Sequence, residues 1–247
     1  VENERIRDIF YDTSKPIEGE LIDLSDCLVL PGFVNAHCHL SLSILKQRVT
    51  RRNSFTEWVK SMTKENKVVS FENRVLAMHA QANVMVRSGV TALVDFLPKG
   101  EFATEYAYLP FRQILLLEVL GFLPSSVEPI IKYLESALNH ELHDNGLISY
   151  GLAPHAPYSV SPKLFQKVKH LSEKYNCPIS CHVAEFPEEL QFLQDGSGDM
   201  KDFLIELGVY DDCWIPPAKS PAQYLDSLGV LESLVAVHLN LVGNDLD

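Results

Sequence analysis

The sequence predicts an α/β fold in which short buried strands alternate with helices along a parallel sheet. Six apolar runs rich in Val, Ile and Leu are bounded by Gly, Pro or Asn, and they do not alternate cleanly with polar residues. Such runs are typical of strands that are buried on both faces. Six units without a second compositional region favour a barrel, and an open doubly wound sheet is the alternative that the pattern leaves.

Helical spacing separates the strand runs. Apolar residues fall at steps of three or four from Phe71 to Met85 and from Ile130 to Leu138, which predicts a helix in each segment. Ser125 and Ser161 are placed to cap two helix starts. Residues 208–221 contain three prolines and predict a loop. The six strand runs are CLVLPGFVNAH, GVTALVDF, FRQILLLEVLG, LISYGLAPH, PISCHVAE and SLVAVHLN.

Residues 1–29 do not follow this rhythm of strand and helix. They predict two short strands, ERIRDIFYD and GELIDLSD, around a turn, as in the remnant of a small β domain. We therefore place a domain boundary between residues 1–29 and residues 30–247. The chain begins with Val, and LVGNDLD at its end resembles a helix start, which predicts a fragment or a processed chain.

Composition narrows the classes of function. The 247 residues include 33 acidic and 21 basic side chains without a basic block, which argues against nucleic acid as a partner. No run approaches the roughly 18 apolar residues that cross a bilayer, and the N-terminus lacks the pattern of a signal peptide. Five cysteines favour reduced thiols over a disulfide framework. We expect a cytoplasmic protein that acts on a small molecule without membrane contact, and homo-oligomerisation is left open.

The first strand run ends in two histidines, in the stretch FVNAHCHL. Residues two apart in a strand point to the same side, so His37 and His39 project together while Cys38 turns away into packing. Two imidazoles in this position are half of a metal site. The alternative is that both cap the strand end and bond to backbone groups.

Three further strand runs end in histidine: the fourth at His155, the fifth at His182 and the sixth at His238. In a barrel the carboxyl ends of all strands converge on one face, where the loops build active sites. Five of the nine histidines therefore meet there, which favours a functional cluster over strand capping. The other four fall in helical or helix-end segments and are assigned to the surface: His79, His140, His143 and His170.

A cluster of neutral imidazoles suits a borderline divalent ion such as zinc, with iron as the alternative. A catalytic zinc keeps an open position for water and makes hydroxide available near neutral pH. Glu185 stands three residues after His182, placed to take a proton from that water and deliver it to a leaving group. The alternative is an exposed acid that opens the acidic stretch EFPEEL.

Five motifs in order resemble the amidohydrolase superfamily, in the branch with cytosine deaminase, S-adenosylhomocysteine deaminase, aminodeoxyfutalosine deaminase and the triazine chlorohydrolases. They are PGFVNAHCHL, GVTALVDF, APHAPYSVSPKL, HVAE and AVH, across about residues 25–240. The first motif is highly specific, and AVH alone is weak. The resemblance implies a (β/α)8 TIM barrel of the metal-dependent hydrolase type, with about six units present, and a β-sandwich that includes residues 1–29.

The resemblance also implies a role for each candidate residue. Binuclear members place a carboxylated lysine or a glutamate at the end of strand four, and this sequence has His155 there, which implies one metal ion. The implied roles are metal ligand for His37, His39 and His182, proton shuttle for Glu185, hydrogen bonding to the metal-bound water or the tetrahedral centre for His238 and substrate contact for His155.

The chain departs from the family at one ligand. The family places an aspartate at the end of strand eight, and this chain stops shortly after its sixth strand run. Asp245 and Asp247 do not match that position, and Asp95 at the end of the second strand run is expected to be a structural acid. The barrel is expected to be incomplete, and the activity of this chain by itself is left open.

The implied function is a metal-dependent hydrolase of carbon–nitrogen bonds that deaminates an aminopurine nucleoside or a related N-heterocycle. A triazine-type chlorohydrolase or aminohydrolase is a neighbouring alternative, and a non-catalytic metal-binding fragment is a third. Phe55 and Trp58 in SFTEW resemble the aminodeoxyfutalosine deaminase group, although both also fit the apolar face of an ordinary helix.

Overall fold

The computed structural model describes residues 5–11, 19–46, 48–49, 54–98, 103–141 and 146–243, with the side chains of residues 140 and 141 left aside. The chain divides into two compact units, residues 1–31 and residues 32–247. The sequence assignments that fall outside the described part are those of the His140 side chain, His143, Asp245 and Asp247.

The first unit contains no helix and no extended strand in its described part, residues 5–11 and 19–31. The strand predicted at GELIDLSD is therefore wrong. In the described part of ERIRDIFYD, Arg5 forms a single β-bridge and residues 6–11 form no strand, so the strand predicted there is wrong beyond Arg5. A strand needs a hydrogen-bonded neighbour, and two short segments alone form at most a marginal pair in water. Asp23 instead accepts a hydrogen bond from the backbone N–H of Ser25 in a local turn, with an N–O distance of 3.0 Å.

One parallel sheet forms the centre of the second unit, and its six strands lie side by side in sequence order. The sheet curls until its two outer strands approach each other: the ring centroids of His37 and His238 are 5.3 Å apart. This nearly closed arrangement confirms the predicted barrel over an open sheet, with all six predicted strands present. They are β1 (Phe33–Cys38), β2 (Val90–Pro98), β3 (Arg112–Val119), β4 (Ile148–Pro154), β5 (Ile179–Val183) and β6 (Leu234–His238).

Helices connect the strands, as the apolar spacing predicts. Residues 207–220 carry neither helix nor strand, which confirms the predicted loop. Among the described residues, no helix is long and apolar enough to cross a membrane. The α-helices are α1 (Phe55–Lys67), α2 (Phe71–Arg87), α3 (Ala103–Tyr106), α4 (Val127–Ser136), α5 (Pro162–Tyr175), α6 (Pro187–Asp195), α7 (Asp199–Glu206) and α8 (Pro221–Ser227).

One of the two predicted serine caps is confirmed. Ser161 precedes α5, and its hydroxyl oxygen accepts a hydrogen bond from the backbone N–H of Leu164. Ser125 does not cap α4, because it lies inside a 3-10 turn that runs directly into the helix. The next residue, Ser126, donates its hydroxyl to the carbonyl of Leu123 at 2.6 Å and so does not cap the helix either.

The barrel interior is a small apolar cluster of Phe96, Leu116 and Ala153, from three adjacent strands. A larger apolar cluster lies between the sheet and the surrounding helices. Side chains two residues further along a strand share the same face. Glu118 and His155 therefore follow Leu116 and Ala153 on the inward side, at the carboxyl ends of β3 and β4.

Candidate active site

The five strand-end histidines meet above the barrel interior. The ring of His182 lies at the centre of the group. Its centroid is 5.0 Å from that of His37, 5.2 Å from that of His39, 5.0 Å from that of His155 and 5.4 Å from that of His238. The structure thus brings together all five histidines that the strand ends predict.

The ring nitrogens of this cluster face one another. The Nε2 atoms of His39 and His182 are 3.2 Å apart. Nδ1 of His182 donates to the backbone carbonyl of His155 at 2.9 Å, which leaves Nε2 as an acceptor directed at His39. Nδ1 of His37 is buried without a hydrogen-bond partner among the described residues. Such converging acceptors, one of them held by a backbone bond, fit a divalent ion such as zinc.

Burial keeps these imidazoles neutral. It lowers the pKa of His37 to about 4 and that of His39 to about 3, with smaller contributions from neighbouring histidines. It also lowers the pKa of His155 to about 4 and that of His182 well below its ordinary range. The ring of Phe96, 4.6 Å from that of His182, forms an apolar floor beneath them. Neutral imidazoles are the form that binds a metal.

Glu185 lies beside the cluster in the loop after β5. Its Oε1 atom is 3.5 Å from Nε2 of His238, its side chain is 25% exposed, and burial raises its pKa to about 7. The buried carboxylate of Glu189 accepts hydrogen bonds from the backbone N–H groups of Ala184 and Glu185, at 3.2 and 2.9 Å. The amide of Asn240 donates to the carbonyl of Glu185 at 3.1 Å. The backbone of Glu185 is therefore held from both sides, unlike that of an exposed surface acid.

Backbone strain is concentrated at the same place. Ala184 has φ of 53°, and His238 and Leu239 have φ of 76° and 52°. Residues other than glycine rarely adopt this left-handed region, and such strain persists where surrounding contacts impose it. The N–H of Leu239 donates to the carbonyl of Val183 at 3.0 Å, which ties the end of β6 to the end of β5.

The ring of His155 is held by the hydroxyl group of Ser159. Its Nδ1 is 2.7 Å from the hydroxyl oxygen of Ser159, which itself donates to the carbonyl of Ala156 at 3.2 Å. Nδ1 of His155 is then the donor, and its Nε2 is left as an acceptor.

A cavity of about 800 Å³ opens over the histidines and Glu185. Phe55 and Trp58 of α1 line it, and Phe55 also stacks on Phe186 with a centroid distance of 3.5 Å. Phe55 therefore packs in an apolar cluster while also facing the cavity, and the resemblance of the pair to the aminodeoxyfutalosine deaminase group stays a prediction. The Phe, Tyr and Trp residues of the wall are Phe55, Trp58, Phe122, Tyr158 and Phe203.

Two acids near the site were not predicted from the sequence: the half-buried Glu118 and the buried Glu189. Glu118 lines the cavity, and one of its carboxylate oxygens lies within 4.8 Å of ligand nitrogens of His39 and His182. Burial raises its pKa to about 7. A charged residue on the inward side of the apolar run LLLEV was the signal for it. Glu189 lay within the acidic stretch EFPEEL, and its contact with the preceding loop has no sequence signal.

Three other polar residues that the sequence analysis assigned to structural or surface positions lie outside the histidine cluster. Asp95 is a structural acid, as expected: it accepts hydrogen bonds from the N–H of Leu40 at 3.1 Å and from the hydroxyl of Tyr106 at 2.8 Å. His170 is exposed on α5. His79 is half-buried rather than fully solvated, and its Nε2 atom lies 3.7 Å from Glu105.

Neutral imidazoles at the carboxyl ends of parallel barrel strands define a candidate metal-dependent hydrolase site. Residues 28–212 match the amidohydrolase family, and the chain belongs to that family.

Relatives and solved structures agree with this assignment. The chain is 29% identical over 253 residues to the 5-methylthioadenosine/S-adenosylhomocysteine deaminase of Syntrophomonas wolfei, a match that covers 95% of this chain and 53% of the relative. It therefore spans about half the length of the curated relatives it matches.

Two crystal structures share the fold. The aminofutalosine deaminase of Helicobacter pylori, solved in complex with methylthio-coformycin, has a TM-score of 0.67 at 23% identity, over 79% of this chain and 47% of that one. The adenosine deaminase of Xanthomonas campestris, solved with bound zinc, has a TM-score of 0.61 at 24% identity, over 85% of this chain and 44% of that one.

Proposed function

We propose that this protein is a metal-dependent hydrolase that deaminates an aminopurine nucleoside or a related N-heterocycle. The convergence of five histidines with Glu185 at one end of the barrel, under an aromatic-walled cavity, carries the proposal. The deaminase name of the Syntrophomonas relative supports an adenine-bearing substrate over a triazine.

In this proposal His37, His39 and His182 hold one divalent ion, namely zinc. Their neutral, converging nitrogens support the assignment, as does the zinc in the Xanthomonas structure. When bound, the ion activates a water molecule for attack near neutral pH. The bond from His182 Nδ1 to the carbonyl of His155 fixes the ring so that Nε2 is the ligand atom.

Glu185 is the proton shuttle of the proposed reaction. Water adds to the ring carbon that carries the amine. Glu185 takes one proton of the water and gives it to the neighbouring ring nitrogen, and then takes the proton of the new hydroxyl group and gives it to the departing amine. The carbon–nitrogen bond breaks and ammonia leaves. A pKa of about 7 suits a group that must accept and donate a proton near neutrality. His238, whose Nε2 atom is 3.5 Å from Oε1 of Glu185, hydrogen-bonds the activated water or the tetrahedral centre.

The cavity supplies the substrate subsite. Its volume lies within the range of pockets that enclose small ligands, roughly 300 to 1,000 Å³. Phe55, Trp58 and Phe122 offer flat faces for a heterocycle. His155, with Nε2 left as an acceptor, contacts the substrate.

Three wider assignments stay predictions. They are the membership of residues 1–29 in a β-sandwich, the placement of the protein in the cytoplasm and its assembly as a homo-oligomer. Residues 30–247 would form the hydrolase barrel.

Ammonia release by the zinc-loaded, full-length gene product tests the proposal. The panel is adenosine, S-adenosylhomocysteine, guanine and atrazine. We expect ammonia from an adenine nucleoside. Chloride release from atrazine alone would favour the triazine-type alternative. A protein that retains zinc and turns over none of the four would contradict the deaminase and support a non-catalytic metal-binding role.

A further inference from the structure

Glu189 lies in the first turn of α6, four residues after Glu185. It is 0% exposed, whereas a glutamate is almost never fully buried unless it has partners. Its partners are two successive backbone groups: Oε1 accepts a hydrogen bond from the N–H of Ala184 at 3.2 Å, and Oε2 accepts one from the N–H of Glu185 at 2.9 Å. Each oxygen of this buried carboxylate thus binds the loop that carries Glu185.

These hydrogen bonds differ from those of an ordinary helix start. Phe186 is the N-cap of α6, so Glu189 is the third residue of the helix. In a capping box, a glutamate at that position accepts the N–H of the N-cap residue itself. Glu189 instead reaches the two residues before Phe186. Its carboxylate therefore stabilises the loop between β5 and α6.

The conformation of Ala184 creates a site for a carboxylate. Its φ of 53° lies in the left-handed region, which a residue other than glycine keeps only where surrounding contacts impose it. Successive N–H groups in such a turn form a concave site for an anion. Burial raises the pKa of Glu189 to about 8, while the two N–H groups favour its ionised form. An ionised glutamate offers one oxygen to each N–H, whereas glutamine has a single acceptor oxygen.

The carbonyl groups of the same loop are bound by residues 239–241, which directly follow His238 at the end of β6. The three bonds run from the N–H of Leu239 to Val183, from the N–H of Leu241 to Ala184 and from the side-chain amide of Asn240 to Glu185, at 3.0, 3.2 and 3.1 Å. Every backbone polar group from the carbonyl of Val183 to that of Glu185 thus has a partner. The side chain of Glu185 leaves this fixed backbone and ends with Oε1 at 3.5 Å from Nε2 of His238.

We propose that Glu189 is a positioning residue, whose carboxylate fixes the backbone of Glu185 so that the shuttle carboxyl group faces His238 and the reacting centre. This role rests on the proposed function and deepens it, because Glu185 performs the proton transfer. Glu189 itself is buried and does not line the cavity. Proton transfer needs heavy atoms about 2.6–3.2 Å apart, and a displacement of about 1 Å can slow a reaction roughly 100-fold. Loss of the carboxylate should therefore lower kcat and leave KM nearly unchanged.

Steady-state kinetics of the zinc-loaded, full-length gene product test the proposal. The substrate is adenosine or S-adenosylhomocysteine, whichever the wild type deaminates faster, at pH 8.5, above the pKa of Glu189. The variant Glu189→Gln keeps the shape and leaves one acceptor oxygen for two N–H groups. We expect kcat to fall by about 10- to 100-fold, with KM within about twofold of the wild-type value and an unchanged zinc content.

Ser172→Ala is the matched control for the loss of a buried hydrogen bond. The hydroxyl of Ser172, on α5, donates to the carbonyl of Cys177 at 2.5 Å. This variant should lower the Tm, because the carbonyl loses its partner, and its kcat should stay within about twofold of the wild type. An equal loss of kcat in both variants would make destabilisation the cause and would overturn the proposal.

A double-mutant cycle with Glu185→Gln separates positioning from a general structural role. If Glu189 acts through Glu185, Glu189→Gln should slow the wild type by about 10- to 100-fold and change the rate of Glu185→Gln by less than about twofold. A merely structural residue would slow both backgrounds by the same factor, and that result would overturn the proposal. If Glu189→Gln does not fold, Glu189→Asp keeps the buried anion with a shorter reach and should give the same pattern.

The outcomes separate the role of Glu189 from the function on which it rests. A full-length protein that releases no ammonia from either nucleoside would overturn both. Wild-type kcat in the Glu189 variant would overturn the role of Glu189 alone, and the proposed deaminase would stand.

Discussion

Polar groups at the amino ends of four helices are hydrogen-bonded, whereas some polar atoms at the carboxyl ends of the strands have no partner among the described residues. At α1, α2, α5 and α8 a serine oxygen accepts the N–H of the third helical residue, with N–O distances of 3.2 to 3.4 Å. At the strand ends, His37 and Glu118 each bury a polar atom without a partner among the described residues, and Ala184 and His238 adopt positive φ. Local rules of hydrogen bonding and backbone conformation hold at these helix starts and fail at the strand ends, where we propose that a metal ion and a substrate bind.

The largest effect should come from the proton shuttle. Glu185→Gln keeps the size of the side chain but cannot carry the proton, so kcat/KM for deamination should fall by about 10²- to 10⁴-fold. Zinc content and Tm should remain those of the wild type. Glu173→Gln, on the exposed face of α5, is the control and should retain full activity. Equal activity of the two variants would remove Glu185 from the reaction.

Two buried phenylalanines, one beneath the histidine cluster and one in a scaffold helix, distinguish the effect of the site from that of the scaffold. Phe96 lies beneath the histidines and Phe165 lies in α5, and both are 0% exposed. Either change to Ala should lower the free energy of unfolding by about 3–5 kcal/mol in urea titrations. Only Phe96→Ala should also weaken zinc binding, by about 10- to 100-fold, because the histidine rings rest on it. The same zinc affinity in both variants would contradict the role of Phe96 as the floor of the site.

Acid should destabilise the metal-free protein through its buried histidines. The pKa of His155 is about 4 when folded and about 6.5 when unfolded, so its contribution to stability is complete above pH 6.5 and is lost as the pH falls toward 4. Over that window the loss amounts to at most about 3 kcal/mol. Unfolding free energies at pH 7.5 and 4.5 should therefore differ less for His155→Gln than for the wild type. The exposed His170→Gln should show the same difference in unfolding free energy between the two pH values as the wild type. The same difference in all three proteins would count against the burial of His155 as the cause.

The smallest effect should come from a helix cap. Ser161→Ala removes the acceptor for the N–H of Leu164 and should cost about 1 kcal/mol of unfolding free energy. The kcat/KM for deamination should stay within about twofold of the wild type, because the cap is part of the scaffold. A large loss of activity at unchanged stability would show that the two regions are not separable in this way.

Strand order and histidine placement followed from the sequence because both depend on local patterns. Apolar runs define buried strands, and parallel strands bring their carboxyl ends together. The hydrogen bonds of Glu189 could not be predicted from the sequence. Its partners, the N–H groups of Ala184 and Glu185, point at its carboxylate only because Ala184 adopts a strained positive φ. Glu118 had a sequence signal, a single charged residue within the apolar run LLLEV, but the run itself was interpreted only as a buried strand. The strand predicted at GELIDLSD failed because strand formation depends on a neighbour that local pattern does not reveal.

The proposed function depends on a metal ion held by three of the five strand-end histidines: His37, His39 and His182. Anomalous diffraction at the zinc absorption edge, from crystals of the zinc-loaded protein, tests it most directly. We expect one strong peak at about 2.0–2.1 Å from ring nitrogens of His37, His39 and His182. No peak among these rings, with zinc bound elsewhere or absent, would contradict it.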